Sequence, residues 1–418
     1  MSYKKLNQVV VVGGGIAGLG VCAALAKYAN EVILLERGKR LDYPQVRKTI
    51  PQGHHIHILL KAGQDKLDEI FPGFTGTLIS EGASRIQAGT GQRIYEFGNW
   101  SPCVPVDLEF LGVSRTFLEH QMFKATSALK NVKLLDGCEV TELSRDGDAI
   151  NGVVYQDESR TVHHQPCDAV VDASGAGSRL WAQAIKNEDA LEIERHEIDI
   201  FYSTLIFKPN AAAHLQRENI LLVPSSPREL GASLIDIENG LTCLSLHGVG
   251  RDNIPETIDD WLTSVRDRLP NKDIWQRISV MEPCTELKTM RRKHMQWAHF
   301  EKCPTNIVGG YFPIGDVLTQ VNPIFGQGMT LALGHAVVMD HALRNNLSDL
   351  NAVREQYLQA ASEWSGKAWR KCRNYSAVTT SDDDKLQLIH RLAKQKLEMS
   401  HNDPQLYRVI VCQSQMLS

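Results

Sequence analysis

VVVVGGGIAGLGVCAALAKYANEVILLER, residues 9–37, is the stretch on which the reading of this chain turns. Four valines, Val9 to Val12, have the uninterrupted apolar character of a strand buried on both faces. The turn that follows has the G-x-G-x-x-G pattern with Gly13, Gly15 and Gly18, and an alanine-rich run to Tyr28 suits a tightly packed helix. A second apolar run, 31–35, then delivers Glu36, 23 residues after Gly13. Gly13 permits the tight turn, Gly15 lets backbone amides approach a pyrophosphate, and Gly18 lets helix and strand pack closely. The helix start carries partial positive charge toward the phosphates. Glu36 is spaced to accept hydrogen bonds from an adenosine ribose. Strand, glycines, helix and acid together predict a dinucleotide site, with NAD and FAD both open.

Composition narrows the setting. A chain of 418 residues, 43% apolar, has room for two or three domains or one large α/β body with an inserted layer. Its net charge of −4 gives no reason to expect nucleic acid or an anionic membrane as partner. Nine scattered cysteines without a C-x-x-C resemble neither a disulfide framework nor a zinc site and fit a reducing compartment. No signal segment precedes the first strand, and no run of about 18 apolar residues occurs. The expectation is a soluble, cytoplasmic protein with no membrane span.

Beyond Glu36, the segment 47–60 (RKTIPQGHHIHILL) holds His54, His55 and His57. No acid or cysteine lies close enough in sequence to complete a metal site with them, and none is expected. Helical spacing runs over 59–71, and 75–112 reads as short antiparallel strands. Ser114 caps a helix whose first turn contains Arg115, a cation where the helix dipole disfavours one and where an anion would answer it. Strands are expected at 132–135 and 139–143, with a hairpin over 150–164. The run 169–179 (AVVDASGAGSR) is an apolar strand ending in Asp172, followed by small residues and Arg179. Strand-rich sequence over 191–255 predicts a second antiparallel sheet beside the substrate. A third strand leads to Gly315-Asp316, then Pro323, Gly326, Gln327 and a helix opening at Gly328-Met329, its first amides free to face an anion. From about 345 onward the chain is helical and polar, and the acidic run 381–384 reads as a solvated cap.

Together the three glycine-bearing stretches resemble the flavin-dependent monooxygenases of the para-hydroxybenzoate hydroxylase fold. Pro51-Gln52-Gly53-His54 through His57, with Phe71-Pro72-Gly73, resembles the squalene-epoxidase-like group that includes bacterial polyether epoxidases. The resemblance covers roughly residues 8–345. It implies an α/β (α+β) fold: a discontinuous Rossmann-like FAD-binding domain (1–75, 113–185, 300–345), an interleaved antiparallel-sheet substrate domain (76–112, 186–299) and a C-terminal helical region (346–418). It also implies that FAD occupies the opening motif. Gly13, Gly15 and Gly18 would carry the pyrophosphate, Glu36 the adenosine ribose, and Val140 would meet the adenine, with Ile16, Ala17 and Arg37 as neighbouring cofactor-binding positions. Arg47, His54, Arg115, Asp172, Gly315, Asp316, Pro323, Gly326 and Gln327 match further cofactor positions, and the amides of Gly328 and Met329 the flavin N1/O2 edge. The family's usual Asp-Gly in the middle motif is here Asp172-Ala173, so no NAD(P)H contact is carried over through it.

The implied chemistry is reduction of FAD, formation of a flavin C4a-hydroperoxide with O2, and transfer of one oxygen to a hydrophobic or aromatic small molecule by epoxidation or hydroxylation. NAD(P)H or a separate flavin reductase would supply electrons, since only one nucleotide motif is present. Epoxidation needs no side-chain base, whereas phenol hydroxylation favours one, for which His55 and His57 are candidates. A halogenase of this fold would carry W-x-W-x-I-P and a lysine between flavin and substrate; none of the seven tryptophans forms that stretch. The same fold also serves prenyl-chain reductases, and a non-catalytic flavin-binding protein would satisfy the same motifs.

Overall fold

The computed structural model describes residues 5–209, 219–224, 226, 229–380 and 384–417. Positions 381–383 of the acidic run therefore lie outside the described residues. The first element is a five-stranded parallel sheet in the order Tyr311–Pro313, Ala169–Asp172, Leu6–Val12, Ala29–Glu36, Val132–Asp136. Val9, Val10 and Val11 are fully buried, as strands covered on both faces must be. Val12 lies opposite Leu35 on one side and Asp172 on the other, and Asp172 lies opposite Pro313. This register makes all three glycine-bearing motifs leave the sheet together at its carboxyl edge, the place where open α/β sheets bind ligands.

Helix Ile16–Leu25 is buried on nearly every face, which explains its alanine and glycine content: large side chains would hold its neighbours off. It packs against Arg115–Ser127 and Gly328–Asn346. A Cβ on Gly20 would already touch Leu333 and Ala336 at 3.5 and 3.6 Å.

The second layer is an eight-stranded sheet ordered Thr319–Gln320, Lys288–Ala298, Ile193–Phe207, Thr242–Val249, Gly231–Asp236, Asn219–Leu222, Gln92–Glu96, Asn99–Trp100. Its pairs are antiparallel except Asn219–Leu222 with Gln92–Glu96. One face is closed by Leu205, Phe207, Leu234, Leu244 and Trp261, the last from helix Ile258–Asp267. The indole N–H of Trp261 donates to the Ser203 carbonyl at 3.1 Å. Two three-stranded sheets complete the body, one of Glu139–Asp146, Ala149–Gln156 and Val162–Pro166, the other of Ile58–Leu59, Glu109–Gly112 and Ser84–Gln87.

Two local readings change. The segment 75–112 is not strands alone: Phe74–Ser80 is a helix, entered through Gly73 at φ +78° and held by the buried Phe74 and Leu78. Its strands also divide between two sheets, because Gln92–Glu96 and Asn99–Trp100 join the large sheet while Ser84–Gln87 and Glu109–Gly112 pair around Ile58–Leu59. Similarly, 59–71 begins as strand and becomes helix only at Lys61–Ile70. At the C-terminal end, helix Leu350–Thr380 is tied to the parallel sheet: the Tyr357 hydroxyl donates to the Pro313 carbonyl at 2.7 Å. No described helix is long and apolar enough to cross a membrane.

Candidate active site

One cavity of about 890 Å³ runs from the carboxyl edge of the parallel sheet to the open face of the eight-stranded sheet. Gly13, Gly15, Ile16, Ala17, Glu36, Arg37, Arg115, Val140, Gly315, Asp316, Pro323, Gly326, Gly328 and Met329 line it, as do His55 and His57. Residues spread over more than three hundred positions of sequence thus share one wall.

At the dinucleotide end the backbone is ready for an anion. Helix Ile16–Leu25 has no side-chain N-cap and no acid in its first turn, so its leading N–H groups are left for a ligand. Glu36 is buried and already accepts from Gly14 N–H and Gly38 N–H, each at 2.7 Å. The carboxylate therefore ties the first and second motif segments together, while keeping acceptor capacity toward the cavity. Arg47 does not line this cavity. It is buried beneath it, donating to the Gly14 carbonyl and to Glu119, each at 2.9 Å, with Glu36 at 3.3 Å. Arg115 does line the cavity, and the answer to its charge within the chain is Glu119 at 2.7 Å. Burial raises the Glu119 carboxyl, but Arg115 and Arg47 more than offset this and hold it below its usual range. Glu119, absent from the sequence expectations, is thus the anchor of both arginines.

Asp172, Gly18, His54 and Gln327 are likewise not on the cavity wall. Asp172 is fully buried and saturated: it accepts from Ser174 N–H at 3.1 Å, the Ser174 and Ser178 hydroxyls at 2.5 Å each, and Tyr311 at 2.7 Å. It folds the middle loop back on the sheet and leaves Ala173 to Arg179 to face the cavity. Gly18 acts through packing. His54 is half-buried on the short helix Pro51–His54, its imidazole lowered from its usual range by burial and by Lys288. The Gln327 side chain, also buried, accepts from the Cys372 thiol at 3.4 Å.

The Gly315-Asp316 loop is positioned from behind. Gly315, at φ +64°, donates its N–H to His335 Nδ1 at 3.2 Å. Nδ1 must then be unprotonated, so Nε2 carries the proton and donates to Ser365 Oγ at 2.9 Å. Full burial pulls His335 down to about 4 and keeps that tautomer neutral. Ahead of the loop, a Cβ on Gly328 would meet nothing within 4 Å, which leaves the first turn of the helix open to the cavity.

The far end belongs to the large sheet, which the sequence placed beside the substrate without singling out any of its residues. Tyr202 and Thr204 on one strand lie opposite His247 and Ser245 on the next, and these lie opposite Gly231 and Ser233 on the third. Polar residues at alternate positions of otherwise apolar strands were the available signal. His55 stands edge-on to Tyr202, with ring centres 4.5 Å apart, and bonds Thr204 Oγ1 at 2.9 Å. His57 donates from Nδ1 to the His55 carbonyl at 2.8 Å. Burial, with His54 nearby, pulls His55 down to about 4; burial, with Arg115 nearby, pulls His57 down to about 3. Both are neutral at physiological pH, and neither is tuned as a general base, which works best with a pKa near the operating pH. No cluster of three or more metal-ligating side chains occurs among the described residues.

A cavity of this size, a glycine-lined turn with uncapped amides, a buried acid and an open helix start fit an extended dinucleotide whose second half reaches a separate chamber. Comparisons with known proteins agree. No family model matches the chain. Squalene monooxygenase 1,2 of Brassica napus is 25% identical over 363 residues, 83% of this chain and 64% of its own length. FAD-dependent monooxygenase atmM of Aspergillus flavus is 23% identical over 403 residues, 89% of this chain and 77% of its own. Protein Rv3254 of Mycobacterium tuberculosis is 27% identical over 371 residues, 81% of this chain and 73% of its own. Among solved structures, Klebsiella pneumoniae HpxO complexed with FAD and uric acid superposes with TM-score 0.71 at 16% identity, covering 98% of this chain and 97% of that one. The flavin-dependent brominase Bmp2 gives 0.69 at 16% identity, covering 97% and 93%.

The chain therefore has the fold of the flavin-dependent enzymes of the para-hydroxybenzoate hydroxylase type. Its sequence relatives include squalene monooxygenases and an FAD-dependent monooxygenase, each under 30% identical. The chain spans about two thirds of the length of the Brassica relative.

Proposed function

We propose that this protein binds FAD and inserts one oxygen of O2 into a hydrophobic or aromatic small molecule. The observation that carries the reading is the single cavity shared by the Gly13–Gly18 turn, the Gly315-Asp316 loop and the polar face of the large sheet. FAD would lie with its pyrophosphate at the amides of Gly13 to Ala17, its adenosine at Glu36, Arg37 and Val140, and its flavin half toward Asp316 and Gly328. Bound there, FAD supplies the redox chemistry that activates O2.

The chain's own residues do the rest. The uncapped amides at the start of helix Gly328–Asn346 present positive potential to negative charge at the flavin end. Val321, Ile324 and Met329 cover that end with apolar surface, which limits water. Tyr202, Ser245 and His247 line the chamber beyond, where a substrate would be oriented. Electrons would come from NAD(P)H docking transiently or from a separate flavin reductase.

Uptake of FAD by the purified protein, followed by the yellow flavin absorbance, tests the first half. A colourless protein that takes up no added FAD would remove the whole reading. Mass analysis of products from reduced, FAD-loaded protein with O2 over polyenes, phenols and indoles tests the second. One added oxygen is the expected result; an added halide or two added hydrogens would assign the halogenase or reductase chemistry instead.

A further inference from the structure

The two ends of the cavity differ in a way that bears on the substrate. The flavin end is lined by Val321, Ile324 and Met329 together with Asp316 and Gln320, whereas the chamber end carries Ser233, Ser245 and His247, with Thr204 on the same sheet face. The opposite face of the same strands carries Leu205, Leu244, Leu246 and Leu234 against Trp261. Polar residues on the chamber face are therefore not needed to solvate an outer surface.

Three observations single out His247. It is 4% exposed, and its Nε2 is buried with no hydrogen-bond partner among the described residues. Its ring lies across the sheet over Gly231, where a Cβ would stand 2.1 Å from Nε2; the glycine makes the room the ring occupies. Finally, a directed chain ends beside it. Thr204 Oγ1 donates to Ser245 Oγ at 2.9 Å, so His55 donates to Thr204, and the Ser245 hydroxyl proton remains for a further acceptor. Burial lowers His247 to about 4, so the ring is neutral and offers one donor and one acceptor rather than a charge. A buried polar group without a partner is costly, and a bound group that pairs with it recovers that cost.

We propose that His247 and Ser245 form a hydrogen-bonding subsite for the hydroxyl group of an otherwise apolar substrate. A hydroxyl accepts from Ser245 and pairs with the imidazole, and a pure hydrocarbon leaves both groups unmatched. His247 is a specificity-determining residue of the site, and the inference rests on the FAD-enzyme reading above.

The test is a calorimetric titration of FAD-loaded protein, without reductant, with 2-naphthol and with naphthalene, a pair that differs by one hydroxyl. 2-Naphthol is expected to bind about tenfold more tightly to the wild type. His247→Leu should lose that preference, and His247→Gln, whose amide reaches the Nε2 position, should restore most of it. Ser245→Ala, a smaller change on the same strand, should narrow the preference to about threefold. FAD content and melting temperature of each variant separate loss of the subsite from loss of the fold. Equal binding of the two probes, no binding of either, or a preference that survives both His247→Leu and Ser245→Ala overturns the subsite. Failure of the wild type to take up FAD instead removes the functional reading on which it stands.

Discussion

A Cβ on Gly18 would stand 1.8 Å from the carbonyl oxygen of Gly13, closer than any real contact. The first and last glycines of the opening motif are therefore packed directly against each other, and the second of them does not touch the cavity. Gly18→Ala must push the helix start away from the turn. It is expected to cost about 3 kcal/mol of stability, the upper range for overpacking a tight site, and to weaken FAD binding with it. Urea unfolding and flavin titration read the two effects; a variant as stable as the wild type would contradict the packing role.

Asp172 is expected to matter for stability rather than for a direct cofactor contact. Four donors converge on its buried carboxylate from Ser174, Ser178 and Tyr311. Asp172→Ala strands the Tyr311 hydroxyl in the core and should destabilise the protein by about 3 kcal/mol. Asp172→Asn, which keeps the shape but turns two acceptor sites into donors, should be intermediate. Midpoints of denaturant unfolding rank the three proteins.

Glu36 has two jobs, and the prediction follows from both. Its carboxylate holds Gly14 N–H and Gly38 N–H, besides facing the cavity at the expected ribose position. Glu36→Ala should weaken FAD binding by about tenfold or more and also lower the melting temperature of the FAD-free protein. Flavin affinity unchanged in the variant would withdraw Glu36 from the ribose.

Acid should destabilise this protein before its carboxylates titrate. Burial lowers His55, His247 and His335 from 6.5 to about 4, and His57 to about 3. Unfolded, these rings regain ordinary values and bind protons the native state refuses, so the unfolded state takes up more protons between about 4 and 6.5. The stability is present above pH 6.5 and is lost as pH falls toward 4. For the fully buried His335 alone the loss is about 3 kcal/mol. Unfolding midpoints across that range should fall steeply in the wild type and less steeply in His335→Leu, which is also weaker at pH 7.5 for want of the Gly315 contact. Parallel slopes for the two proteins would count against a neutral His335.

The glycine motifs, the strand before each of them and the Ser114 cap were legible because they depend on neighbours in sequence. Ser114 Oγ, for example, accepts from Phe117 N–H at 3.1 Å, a contact within one turn. Helix Phe74–Ser80 was hidden because seven residues hold too few turns to show a period, and buried Phe74 and Leu78 decide it. Arg47, Arg115 and Asp172 could be read as charged positions in the right segments, but not as charges already answered by Glu119 or by hydroxyls.

By itself, the sequence determined the cofactor-binding framework: local spacing of glycines, a buried strand and an acid is enough to specify a βαβ turn, since those constraints act over fewer than thirty residues. Only the tertiary structure decided what lies at the other end of the cavity. Tyr202 comes from one strand and Ser245 and His247 from the next, and it is the register of antiparallel pairing that turns their side chains to the face that His55 meets from its loop. A one-residue slip would bury them under Trp261 instead, and nothing in the local sequence of any one strand fixes that choice.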